Sequence, residues 1–171
     1  WSLRQFSPLR KAGPKIVKHI SNLRPISLCC DLAQVMDALW LGRTAQQLEE
    51  YSGEDQVGGV SDPMSIILAI ILHAQLRSHQ GFPTYWALLD LKWAFDVAIV
   101  SGMLAACFDA GVHGTDWLLL DDIMRMDAQC LNLHGFLTAA FVLGVGTAQG
   151  RSFSLHAFNA LLRQLGNEVE I

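Results

Sequence analysis

Trp86-Ala87-Leu88-Leu89-Asp90-Leu91-Lys92-Trp93-Ala94-Phe95-Asp96 decides how the rest of the chain is read. Apolar residues lead into a carboxylate, and an aromatic follows it by five residues. The run Thr84 to Leu91 leans towards β structure between the breaker Gly81-Phe82-Pro83 and a charge cluster, which predicts a short, buried central strand ending near Asp90. A carboxylate at a strand end suits a hard cation, because such ions prefer oxygen ligands. Asp90 therefore reads as a metal-binding acid beside a substrate pocket. Taken without their flanks, Asp90 and Asp96 read better as a strand end followed by a helix-capping aspartate.

Working outward, the spacing predicts a helix from Asp31 to about Tyr51, with Leu32, Val35, Met36, Leu39 and Trp40 on its apolar face and Gly53 as its stop. A second helix begins at Ser61 or Asp62 with Pro63 in its first turn and runs to about His79, through Met64, Ile67, Leu68, Ile71 and Leu72. Its broad apolar face predicts burial. Beyond Asp96, helices are predicted from about Ile99 to Ala110 and from Thr115 or Asp116 to Asp127. A strand pair then turns near His134-Gly135, and Gly150 opens a last helix carrying Leu155, Phe158, Leu161, Leu162 and Leu165. The first thirty residues, with Pro8, Gly13, Pro14 and Pro25 among β-branched stretches, read as extended segments joined by turns. Strands interleaved with long helices predict a mixed α/β (α+β) fold.

A chain of 171 residues, 51% apolar and 16% charged, can bury one sizeable core. It opens at Trp1 and closes at Glu170-Ile171 just past a helical pattern, which reads as an internal piece of a longer protein. The net charge of −4 conceals an asymmetry: Arg4, Arg10, Lys11, Lys15, Lys18 and Arg24 lie within the first thirty residues, where there is no acid. That basic end is where phosphates would dock, or else a solvated terminus. Cys29, Cys30, Cys107 and Cys130 lack the spacing of a zinc site and read as buried, reduced thiols. The longest apolar run, Ile66 to Leu72, is too short to cross a bilayer. No membrane partner and an intracellular setting are expected.

Three blocks occur in order: Asn22-Leu23-Arg24-Pro25-Ile26-Ser27-Leu28, the run around Asp90, and Gly144-Val145-Gly146-Thr147-Ala148-Gln149-Gly150 followed by Ser154. Together they resemble a reverse transcriptase, and within that family the non-LTR (LINE-type) retrotransposon branch. The resemblance implies the fingers and an incomplete palm of a right-hand polymerase, residues 1–80 being fingers-like and 81–171 part of the palm. It also implies RNA-directed DNA synthesis by two-metal nucleotidyl transfer in the parent protein, with Mg2+ or Mn2+ as cofactor. The implied partners are an RNA template, a DNA primer and deoxynucleoside triphosphates, and the implied location is nuclear for a eukaryotic retrotransposon.

The same resemblance assigns roles. Asp90 and the Leu91 carbonyl fall at metal-binding positions. Arg24, whose planar guanidinium suits bidentate phosphate contacts, and Lys11 fall where the triphosphate is gripped, with Lys15 and Lys18 near enough to substitute for Lys11. Phe95 falls where a ring would collide with a 2′-hydroxyl and so select deoxyribose. Gln149 and Gly150 shape the nucleotide pocket, while Asp96 and Ser154 support it.

The chain departs from the family pattern in four places. It has Ser154-Leu155 for Ser-Pro, a longer Gly146-Thr147-Ala148 before Gln149, and Gln56-Val57-Gly58-Gly59-Val60 for a block ending in an aromatic and a base. It also contains no aromatic-Ala-Asp-Asp hairpin. Two other readings are a decayed or co-opted copy that binds nucleic acid without catalysis, and a group II intron maturase-like enzyme. A further one is an unrelated α/β domain, for which the six histidines offer no evident catalytic partner.

Overall fold

The computed structural model describes residues 4–10, 23–54, 56, 58–59, 62–88, 90–126, 128–133, 135–142, 144–147 and 149–168. Along the chain it runs β1 (Arg4–Arg10), β2 (Leu23–Leu28), α1 (Asp31–Ser52), α2 (Pro63–His79), a single turn α3 (Ala94–Val97), α4 (Val100–Asp109) and α5 (Gly114–Arg125). Then come β3 (Ala128–Leu133), β4 (Phe136–Leu137), β5 (Phe141–Val142) and α6 (Ser152–Glu168). Helices and a small mixed sheet make an α+β fold. In the sheet β1 pairs antiparallel with β2 and parallel with β3, and β3 pairs antiparallel with both β4 and β5. Because β1 and β3 come from opposite ends of the sequence, their pairing carries the β2 block towards the start of α6.

The core lies where α1, α4, α5 and α6 meet. Trp40, Leu48, Met103, Leu104, Cys107, Leu120, Phe153, Ala157 and Phe158 are buried there. Trp40 sets its ring edge against Phe153 at 6.0 Å, and its indole N–H donates to the Asp116 carbonyl at 2.8 Å. Trp117 makes the matching bond from α5 to the Leu104 carbonyl at 3.0 Å. The buried Trp40 indole and the half-buried Trp117 indole thus each find an acceptor. The small residues Ala157 and Ala160 bring α6 close to its neighbours.

The helix boundaries agree closely with the periodicity, but α1 is rotated from the expected face. It buries Asp37, Trp40, Thr44, Leu48 and Ser52, while Leu32, Val35 and Leu39 stay exposed. Polar residues are tolerated on the inner face because each has a partner. The Thr44 and Ser52 hydroxyls donate back to the carbonyls of Trp40 and Leu48, at 2.9 and 2.8 Å, and Asp37 pairs with Arg151. Helix α2 starts as read, with Asp62 accepting from the Met64 amide at 3.0 Å and Pro63 at the first position. Its expected burial is not found, since none of its residues is buried. Its apolar residues run around the whole helix, and Met64, Ile67, Leu68, Ile71, Leu72 and Leu76 are exposed.

The expected central strand from Thr84 to Leu91 is also not found. The described residues of this stretch form neither helix nor strand, and Tyr85 and Leu88 are 88% and 96% exposed. A strand needs a ladder partner for its backbone groups, and the sheet built from β1 to β5 supplies none here.

Cys107 and Cys130 are buried as expected, whereas Cys30 is exposed and Cys29 half-buried. Burial pushes the Cys107 thiol from its ordinary 9.0 up to about 12. Below pH 9 both the folded and unfolded thiol hold their proton. Above it the unfolded chain loses the proton first, so stability is full below about pH 9 and falls as pH rises through 12, with a limiting slope of about 1.4 kcal/mol per pH unit. Tyr51 contributes with the same sign above its ordinary 10.0, being raised by burial and by Asp109 and Cys107 against the opposing pull of Arg163. Thermal melts from pH 8 to 11 should show this alkaline loss, and Cys107→Ala should flatten it; an unchanged slope in the variant would remove Cys107 as its source.

Candidate functional site

Parts of the three sequence blocks, distant along the chain, meet near the start of α6: Ser27 of the first, Phe95-Asp96 of the second and Gly146 to Gly150 of the third. The turn α3 carries Phe95 and Asp96, and the segment before α6 lies directly against it. The Gly146 N–H donates to the Ala98 carbonyl at 2.7 Å, and the Thr147 N–H donates to the Phe95 carbonyl at 2.8 Å. The Gln149 side-chain Nε2 donates to Asp96 Oδ1 at 3.0 Å. On the other side the Ser27 N–H, at the end of β2, donates to the Gln149 carbonyl at 2.7 Å. Two glycines permit these approaches. At Gly146 (φ 88°) a Cβ would stand 2.7 Å from the Asp96 carbonyl oxygen, and at Gly150 (φ 110°) one would stand 2.7 Å from that of Ser27.

Phe95 is half-buried with its ring against Phe158 of α6, 4.8 Å between centroids, which fixes the ring's position. Ser154 is buried and shares a 2.8 Å hydrogen bond with the Thr147 hydroxyl, tying the first turn of α6 to the loop. Asp90, Leu91 and Asp96 are exposed. The Arg24 backbone sits in β2 opposite Leu9, adjoining the segment that meets Gln149. Lys11, Lys15 and Lys18 lie outside the described residues. Trp93, just before α3, has the left-handed backbone φ 57°, which a non-glycine residue adopts only when its surroundings impose it.

Sequence reasoning passed over several residues that build this region. Gly146 and Thr147 belong to the tripeptide that departs from the family pattern, and they are the ones that clamp α3. Arg151 follows Gly150 and is buried in an ion pair with Asp37 of α1, its guanidinium 4.8 Å from the Phe153 ring. Two further departures meet one another: a Cβ on Gly59 would stand 2.2 Å from Leu155 Cδ2. Beside them Gln56 Nε2 donates to Asn159 Oδ1 at 3.1 Å, and Asn159 Nδ2 donates to the Gly58 carbonyl at 3.2 Å. Order along the chain was the only signal available for these contacts.

Asp90 and the Leu91 carbonyl are hard oxygen donors of the kind magnesium takes together with waters and phosphates. They do not amount to a two-ion centre. Among the described residues no group of three or more His, Cys, Asp or Glu is placed to hold a metal ion. Also among the described residues, no helix is long and apolar enough to cross a membrane. No protein-family model matches the chain, and no curated protein matches it.

Proposed function

We propose that these 171 residues are the fingers-like region (1–80) and part of the palm (81–171) of a reverse transcriptase of the LINE type. The observation that carries this reading is the meeting of the Ser27, Phe95-Asp96 and Gln149-Gly150 segments at one end of α6. Chance matches to three motifs have no reason to fold together. In this reading Asp90 and the Leu91 carbonyl bind one divalent cation, Mg2+ or Mn2+. Arg24 and Lys11 grip the triphosphate of an incoming deoxynucleotide. Phe95, its ring held by Phe158, excludes a 2′-hydroxyl, and Gln149 with Gly150 borders the base pair formed with an RNA template at the end of a DNA primer. The carboxylates of the second ion are not among these residues, so the 171-residue chain alone does not extend a primer.

The test is to join the chain to an aromatic-Ala-Asp-Asp palm segment and thumb from a LINE-type enzyme, then assay primer extension on RNA. Extension is expected with Mg2+ or Mn2+. Asp90→Asn should lower it by more than about 100-fold, since even an outer-shell partner of a metal ligand is worth roughly 10–100-fold. No extension with either metal, or extension indifferent to Asp90→Asn, would sink the polymerase reading.

One observation favours a second reading, a co-opted copy that binds nucleic acid without catalysis. The block at Gln56, Gly58 and Gly59, where the family contacts template, spends its polar groups on Asn159 and packs on Leu155. RNA binding that weakens steeply with salt and survives Asp90→Asn, without extension, would mark that outcome.

A further inference from the structure

We infer that Asp96 is the positioning residue for Gln149: it fixes which end of the glutamine amide faces the nucleotide pocket. This rests on the reading above and adds to it a residue that acts through another. An ionised carboxylate can only accept hydrogen bonds, so the amide end that meets Asp96 Oδ1 at 3.0 Å must be the NH2. The side-chain oxygen of Gln149, Oε1, is therefore turned away from Asp96 and is the atom presented to a ligand. A nucleotide meeting it must bring a donor, a hydroxyl or an amino group.

Backbone bonds hold both residues independently of this contact. Asp96 N–H donates to the Trp93 carbonyl at 2.9 Å, and the flanking Phe95 and Ala98 carbonyls accept from Thr147 and Gly146. The Gln149 main-chain carbonyl accepts from the Ser27 N–H. With both main chains pinned, the bond between side chains is left to determine the amide's orientation and little else. Asparagine at 96 would have both a donor and an acceptor and would accept either orientation. Alanine would leave the amide undirected, and glutamate would restore an acceptor-only partner.

The experiment uses the 171-residue chain, thymidine triphosphate with Mg2+, and NMR of the Gln149 side-chain NH2 group. Without nucleotide, one NH2 proton should be shifted downfield by the carboxylate, and Asp96→Ala should collapse that shift. Affinity for the triphosphate should fall about three- to tenfold in Asp96→Ala, the worth of one partly exposed hydrogen bond, with Asp96→Asn between. Asp96→Glu should recover both the shift and most of the affinity. If Asp96→Ala changes neither quantity, or if Asp96→Glu behaves like Asp96→Ala, the inference is overturned while nucleotide binding stands. If the wild type does not bind the triphosphate at all, this role falls together with the polymerase reading, and the shift measured without nucleotide shows separately whether the clasp exists.

Discussion

Arg151→Met is expected to cost the fold about 3–5 kcal/mol, the usual consequence of removing one partner from a buried ion pair. The Arg151 and Asp37 side chains are 3% and 1% exposed. Methionine can replace much of the stem's packing against Phe153, but it leaves the Asp37 charge in the interior without the guanidinium. Against a typical total of about 5–15 kcal/mol, a loss of this size unfolds much of the protein near its working temperature. Denaturant titration measures it directly. The double replacement Asp37→Leu with Arg151→Met should regain most of the loss, because two apolar groups of similar volume leave no charge behind. If each single variant costs under about 1 kcal/mol and the double variant costs their sum, the pair is not coupled and the account is wrong. Arg151, the residue after Gly150, also ties α1 to the start of α6, so on the proposed polymerase reading the single variant should lose triphosphate binding under conditions where it remains folded.

That pair shows why the sequence yields helices more readily than their orientation. Leu32, Val35, Met36, Leu39 and Trp40 recur at helical spacing, and the helix they predict is present. Its inner face is chosen by Asp37, whose partner lies 114 residues away, and no local pattern records such a distance. Spacing also predicts α2, α4, α5 and α6 to within a few residues, because caps, glycine stops and apolar periods are local signals. The β-leaning run at Thr84 to Leu91 is different in kind. A helix satisfies its own backbone, whereas a strand depends on a neighbour that composition cannot supply. The candidate site follows the same division. Asp96 and Gln149 were each legible as motif members, but their bond, across 53 residues, was not.

Gly146 offers the sharpest test of the convergence itself. Its φ of 88° lies in the left-handed region, which costs a residue with a side chain roughly 1–2 kcal/mol. A Cβ there would in addition stand 2.7 and 3.0 Å from the Asp96 and Phe95 carbonyl oxygens. Those are backbone atoms and cannot swing aside as a flexible side chain would. Gly146→Ala must therefore push the loop off α3, stretching the Gly146 and Thr147 hydrogen bonds and drawing Gln149 away from Asp96. The expected loss is about 2–4 kcal/mol, together with collapse of the Gln149 NH2 shift. Gly135→Ala separates the two causes, because Gly135 has φ 93° yet nothing within 4 Å of the added carbon. It should show the backbone cost alone. Gly144→Ala, with open space and no positive φ, should stay within about 0.5 kcal/mol of wild type. If Gly146→Ala costs no more than Gly135→Ala, the loop does not rest on α3, and the three blocks lose the contact that makes them one site.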